Sequence, residues 1–379
     1  MKITALNLQE FSEKKAIVQK LKSMGLPTPK TEHYRYFGIK PIFDKDYELS
    51  IPQAQPIEES DVVEIVDGVV ISAPKGLYVE HVNEIKVDDS HYDQIYYISH
   101  LLAPTTIHLE CEENMDLKIV QKFTQNSKLI PYRIKITTAP NTQVKIIEDF
   151  IVVSEDSLYF YGYDIDVARD STLTFISNRV TNIENFALFG SHSINVEANA
   201  TFNLYTFDFG NAKTIHNYHI TLQDHATSDE NHVIFGKDHA RLANTFHIEQ
   251  KGRESKTTQI SRNILKDTAR GIFDGLLIVK NPAKYASIYQ DSKTILLNDG
   301  AYMISKPQME IYTEYIAEAT HGSTTGHLDE EALFYLRQRG ISLEDAKEMM
   351  VLSFLNEVFE KLGDDEFKNE FIEIYEENR

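Results

Sequence analysis

Between Val62 and Tyr315 a short aliphatic pattern recurs ahead of a turn. The pairs are Ile134/Ile136, Ile165/Val167, Ile194/Val196, Ile220/Leu222 and Leu277/Val279, with Phe246/Ile248 a looser member. Their first positions lie 31, 29, 26, 26 and 31 residues apart. Around them apolar and polar residues alternate, and Val, Ile, Thr, Tyr and Phe dominate, as strands require. Turn-forming clusters punctuate the region at Ala139-Pro140-Asn141, Arg169-Asp170-Ser171, Ala198-Asn199-Ala200, Asp224-His225-Ala226, Gly252-Arg253 and Asn281-Pro282. No long helix is expected there. A period of ~20–50 residues marks stacked units. A strand-only unit of this length suits one coil of a β-solenoid, in which each coil covers the next. Strands and turns at such intervals also fit a sandwich or a propeller.

The two ends read differently. From Glu13 to Met24, the residues Ala16, Ile17, Leu21 and Met24 fall on one helix face. Gly25-Leu26-Pro27-Thr28-Pro29 stops that helix, because proline cannot continue its hydrogen-bond ladder. Pro52, Pro56 and Glu58-Glu59-Ser60-Asp61 form a connection. Near the C-terminus, Asp329-Glu330-Glu331 opens a helix that Gly340 closes. Ser342 and Asp345 make a capping box for the next one. There Ala346, Met350, Phe354, Val358 and Leu362 repeat every four residues. Three regions follow: an N-terminal helical segment and linker (1–60), a strand core (61–320) and a C-terminal helical domain (321–379).

Charge removes several partners. With 38 Lys+Arg against 58 Asp+Glu, the net charge of −20 is the wrong field for nucleic acid phosphates or an anionic bilayer. No ~18-residue apolar run exists to span a membrane, and no apolar stretch follows Lys2 as a secretory signal would demand. The expected location is the cytoplasm. The single cysteine, Cys111, excludes an internal disulfide and any Cys-rich zinc or four-thiolate iron–sulfur site.

Catalytic patterns are absent. His216 and His219 are three apart, which on a strand places them on opposite faces. His321-Gly322-Ser323-Thr324-Thr325-Gly326-His327 has glycines and hydroxyls but not the lysine or spacing of a P-loop. It is expected to form a tight connection from the sheet into the first C-terminal helix. No G-x-S-x-G elbow occurs. Cys111, in a strand-like stretch, reads as a structural thiol. Nothing argues for an enzyme acting alone.

Several segments are nonetheless specific. Asp267-Thr268-Ala269-Arg270-Gly271-Ile272-Phe273-Asp274-Gly275 resembles the D-x-A-R-G-x-F-x-G segment of the SufB/SufD family of iron–sulfur cluster assembly proteins. Leu296-Leu297-Asn298-Asp299-Gly300-Ala301 and Lys306-Pro307-Gln308-Met309-Glu310-Ile311-Tyr312 resemble its LLLSDGA and TKPQLEIY runs. His321-Gly322-Ser323-Thr324-Thr325-Gly326, followed by Leu328 to Ile341, is similar to its HGATxGxLDEDALFYLRxRGI. Gly25-Leu26-Pro27-Thr28 with Glu32 and Tyr34-Arg35-Tyr36 matches more thinly. Gln290 stands where SufB has its scaffold cysteine, and Gly322 where SufB has a glutamate, so the pattern looks like the SufD branch. Ala319 replaces a cysteine that many SufD chains carry.

The resemblance implies a right-handed parallel β-helix core between helical ends. It implies a non-enzymatic scaffold subunit of the SUF complex, paired with SufB through the β-helix ends and docking the ATPase SufC with its C-terminal helices. It leaves open a homodimer of the isolated chain beside the SufB heterodimer. It makes His321 a candidate iron or Fe–S ligand at the subunit interface, with any cluster transient and shared with SufB. Leu333, Phe334, Met350, Phe354 and Val358 become candidates for SufC docking. The competing readings are a homo-oligomeric β-solenoid adaptor without a cluster role and, more remotely, a β-helix carbohydrate-active enzyme.

Overall fold

The computed structural model describes residues 1–11, 13–83 and 86–378, with the side chains of residues 365, 366, 377 and 378 undescribed. Its repeating device is a corner. Asn141, Asp170, Asn199, His225, Glu254 and Tyr285 all have left-handed φ, between 55° and 62°. Asn and Asp tolerate this conformation best. Each corner N–H donates to the next coil, as from Asp170 to the Ala198 carbonyl (3.2 Å) and from Asn199 to the Asp224 carbonyl (3.0 Å). The corner therefore carries its partner one layer up.

Between corners each coil lays one strand into each of two parallel sheets. Sheet 1 includes Ala187–Val196, Lys213–Leu222, Arg241–Gln250, Arg270–Val279 and Tyr302–Ile311. Sheet 2 includes Thr201–Gly210, Thr227–Gly236, Lys256–Leu265, Ala286–Leu296 and Ile316–Gly326. The result is a β-solenoid of about eight coils. Its N-terminal end is closed by antiparallel pairing: Tyr78–Val82 lies on Thr106–Cys111, and Val63–Val66 pairs with Val69–Ala73. The latter hairpin turns on Asp67-Gly68, both with positive φ, as a tight two-residue loop requires.

The observed register refines the sequence repeat. Ile136, Ile165, Ile194, Ile220, Ile248 and Leu277 form one stacked column. Their spacings are 29, 29, 26, 28 and 29 residues. Phasing on Ile134 and Phe246 set those two coils two residues early. A strand repeats every two residues, so both choices point inward equally well.

Three apolar clusters hold the molecule. The first fills the solenoid interior. The second joins the outer face of sheet 1 to the N-terminal helices α1 (Lys15–Met24), α2 (Lys40–Phe43) and α3 (Gln94–Leu102). The third joins the outer face of sheet 2 to C-terminal helices. These are α4 (Glu330–Gln338), α5 (Leu343–Leu362) and α6 (Asp365–Asn378), of which α5 and α6 supply its buried side chains. There Val351, Leu355, Val358, Phe359 and Phe371 meet Phe207, Phe209, Val233 and Phe235.

Two expectations fail. Helix α3 was not anticipated inside the strand region. All nine of its residues are buried, so it has no polar face to display a 3.6-residue period. The stretch His321–Gly326 is not a connection. It belongs to the last strand, Ile316–Gly326, and the expected boundary at 320/321 falls inside that strand.

Candidate functional site

The last coil, Tyr302–Ile311 and Ile316–Gly326, ends both sheets. Among the described residues each strand has a neighbour on one side only, so the other edge offers unpaired backbone groups. Tyr302, Ile311, Tyr312 and Tyr315 are exposed around this end.

The segments singled out by sequence build this end. Asp267 is a left-handed corner (φ 58°). Asn298 Nδ2 donates to its carbonyl at 2.8 Å, and a Cβ on Gly300 would overlap that oxygen. Asp274 points out of sheet 1 and is bracketed by the next coil. Lys306 Nζ donates to Asp274 Oδ2 (2.6 Å) and Gln308 Nε2 to Oδ1 (3.0 Å). Pro307, between them, sits on an edge strand, where proline is tolerated. Inside, a Cβ on Gly275 would overlap Gln290 Nε2 and lie 2.7 Å from Gln259 Oε1. The absent side chain leaves room for both amides.

His321 stands in register with Gln290, which is fully buried and faces the interior. His321 shares that inward register but is exposed, because among the described residues no coil stacks beyond it. Hydroxyls continue from its neighbours: Ser323 Oγ donates to Ser305 Oγ, and Ser305 Oγ to Ser292 Oγ, both at 2.9 Å. Among the described residues no three His, Cys, Asp or Glu side chains converge to hold a metal.

Beside this end, Arg262 ties sheet 2 to α5. It is buried, donates to Asp291 Oδ2 and Glu357 Oε2 at 2.6 Å each, and lies 5.9 Å from the Phe354 ring centre.

Residues 120–354 match the family model described as SUF system FeS cluster assembly, SufBD core domain. The chain belongs to the SufBD family. Residues 6–67 match a second model, the SufBD protein N-terminal region. Among curated relatives, the iron-sulfur cluster assembly protein SufD of Escherichia coli is 23% identical, covering 94% of this chain and 90% of that protein. An iron-sulfur cluster assembly SufBD family protein of Synechocystis is 22% identical over 62% of this chain and 53% of its own length. One of Mycobacterium leprae is 32% identical over 35% of each. The chain's role lies in SUF iron–sulfur cluster assembly. The SufBD core match spans the coils from residue 120 onward, α4 and α5 as far as residue 354.

Placed on the SufBD fold, the candidate docking residues separate. Phe334 is 63% exposed on α4. Leu333, Met350 and Phe354 are half-buried. Val358 is fully buried against the solenoid, so it belongs to the core and presents nothing to a partner. A strict four-residue repeat drifts from a 3.6-residue helix: its members Ala346 and Val358 are buried, but Met350 and Phe354 between them are not, and the buried stripe on α5 passes instead through Val351, Leu355 and Phe359. Tyr335 on α4, and Leu343 and Met349, which lie off that repeat on α5, are exposed apolar residues that the sequence reading missed. No helix among the described residues is long and apolar enough to cross a membrane.

His216 and His219 do point to opposite faces. His216 lies inside, 3.3 Å from His192. His219 lies under the N-terminal segment, its Nδ1 2.5 Å from Asp88 Oδ2. Cys111 is buried in the interior cluster, and burial pushes its thiol up to about 11. A thiol so held is a poor nucleophile and a poor ligand.

Proposed function

We propose that this chain is the SufD-like scaffold subunit of a cytoplasmic SUF complex. Its open solenoid end pairs with SufB, and α4 with the start of α5 docks the ATPase SufC. The observation that carries this reading is the last coil: two unpaired strand edges with an exposed histidine in the inward register. Unpaired edges recruit a second chain by strand pairing. A neutral imidazole ligates iron, and one imidazole needs further ligands from the partner. A cluster at His321 is therefore cargo shared across the interface. The exposed Phe334, Tyr335, Leu343 and Met349 supply the apolar face for SufC.

The test is anaerobic co-expression with SufB and SufC. The expected result is a complex containing all three. Phe334→Asp releases SufC alone, and His321→Ala leaves the complex intact but lowers its iron content. A chain that purifies only with itself overturns the pairing. Unchanged iron and cluster yield in His321→Ala removes the ligand role.

A further inference from the structure

The interior of a parallel solenoid is ordinarily filled by Val, Ile and Leu. Here, toward the open end, polar columns run beside the apolar ones. Register stacks His321, Gln290, Gln259 and Glu230 in one column that stops at Leu204. A neighbouring column runs Ser323, Ser292, Ser261, His232, Thr206, Ser177 and Glu148.

Some of these groups satisfy one another. Gln290 Nε2 donates to Gln259 Oε1 (2.6 Å) and to the Gly275 carbonyl (3.1 Å). Thr206 Oγ1 pairs with His232 Nδ1 at 2.9 Å. Asn244 Nδ2 donates to Asp208 Oδ2 at 2.8 Å. Others are left over. Glu230 Oε2, Gln259 Nε2, Gln290 Oε1, His232 Nε2, Asn244 Oδ1 and His216 Nε2 have no hydrogen-bond partner among the described residues, His216 Nε2 lying 4.0 Å from Asp208 Oδ1. All six residues are fully buried. Each orphan costs about 1–3 kcal/mol. Water bonded to two to four such atoms is the usual remedy in protein interiors.

We propose that a chain of ordered water runs inside the solenoid from Glu230 to the open end at His321, and that it passes protons between solvent and the Glu230 carboxyl. The distance is three coil steps, roughly 14 Å at the usual strand spacing. Leu204 closes the inner end, and the hydroxyls of Ser292, Ser305 and Ser323 flank the outer one. The transfer balances without a further reactant. Solvent at the mouth gives up a proton, each water accepts one and hands one on, and the carboxylate becomes the acid. The groups around Glu230 leave it as the terminus. The Ser228 hydroxyl donates to its Oε1. Gln259 and Leu204 flank it on the adjacent strands. His232 lies two residues on in its own strand, while Asp229 beside it and Lys361 from α5 act on it electrostatically. Burial pushes the carboxyl up to about 8, so the acid form persists at neutral pH.

Infrared spectroscopy of the full chain in water and after transfer to D2O tests this. At pH 6 the wild type should show a protonated-carboxyl C=O band that Glu230→Gln removes. That band should shift on deuteration far faster than the amides of the same coils exchange. Gln290→Leu plugs the column and should slow the shift by about tenfold or more, since exchange must then await local opening. Absence of a band assignable to Glu230 overturns the proposal. So does a band in the wild type that shifts no faster than the core amides, a comparison that needs no variant. A fast shift unchanged by Gln290→Leu overturns the route.

Discussion

The Arg262 guanidinium donates to the Glu357 carboxylate at 2.6 Å, across the joint between the solenoid and helix α5. Arg262 also holds Asp291, one coil further on. Removing a buried partner leaves the other charge uncompensated. Arg262→Met should therefore cost roughly 3 kcal/mol, discounted in part because Lys293 lies 3.3 Å from Asp291. Glu357 is half exposed, so Glu357→Gln should cost under about 1 kcal/mol. Urea unfolding of both variants checks the order. Faster proteolysis within α5 and α6 is expected for Arg262→Met only.

Gly275 faces two buried amides at close range. Gly275→Ala should destabilise by about 1–3 kcal/mol through overpacking. Its cause is steric, so shortening the opposing side chain in Gly275→Ala/Gln290→Ser should recover part of the loss. A double-mutant cycle in thermal unfolding measures this. Strictly additive effects would show that the two positions do not collide.

Much of this architecture was legible beforehand, for a physical reason. A coil repeats its corner and its strand, so Asn141, Asp170 and Asn199 and the aliphatic column announce themselves through period. What period does not carry stayed hidden. Helix α3 is buried all round, and its Ile-Tyr-Tyr-Ile core imitates a strand. The phase of the column was ambiguous at Ile134 and Phe246 because alternation cannot distinguish i from i+2. Glu230, Gln259 and Gln290 lie on three separate strands of ordinary composition. Only the register of 29 to 31 residues between them brings them into one line. His321 was visible as a motif residue, but its place on an inward-facing yet uncovered rung required the fold.

Asp164 fastens α3 to sheet 1. Its Oδ2 accepts from Arg133 Nη2 at 2.7 Å, and its Oδ1 accepts from the Tyr96 hydroxyl at 2.7 Å. Burial pushes this carboxyl up, but Arg133 and His100 outweigh burial and hold it well below the usual range. Asp164→Asn should thus cost about 3–5 kcal/mol at neutral pH, leaving a buried guanidinium without its counter-charge. Because the folded pKa is depressed, the wild-type advantage exists above about pH 4 and fades as pH falls below it. Chemical unfolding at pH 7 and pH 3 should show the gap between the two proteins narrowing in acid.

Glu230 has the opposite sign. Burial, its largest influence, raises the carboxyl from 4.5 to about 8, against a lowering by the Ser228 hydroxyl. Between those values the folded chain keeps a proton that the unfolded chain has released. Stability from this group is therefore complete below about pH 4.5 and is lost as pH rises toward 8. Glutamine has no such proton, so Glu230→Gln should gain on the wild type by roughly 1.4 kcal/mol per pH unit across the window. From pH 6 to pH 7.5 the difference should move by about 2 kcal/mol. Paired urea titrations at the two pH values read it directly. Two proteins whose stabilities run parallel over this range would show that Glu230 is ionised in the folded chain.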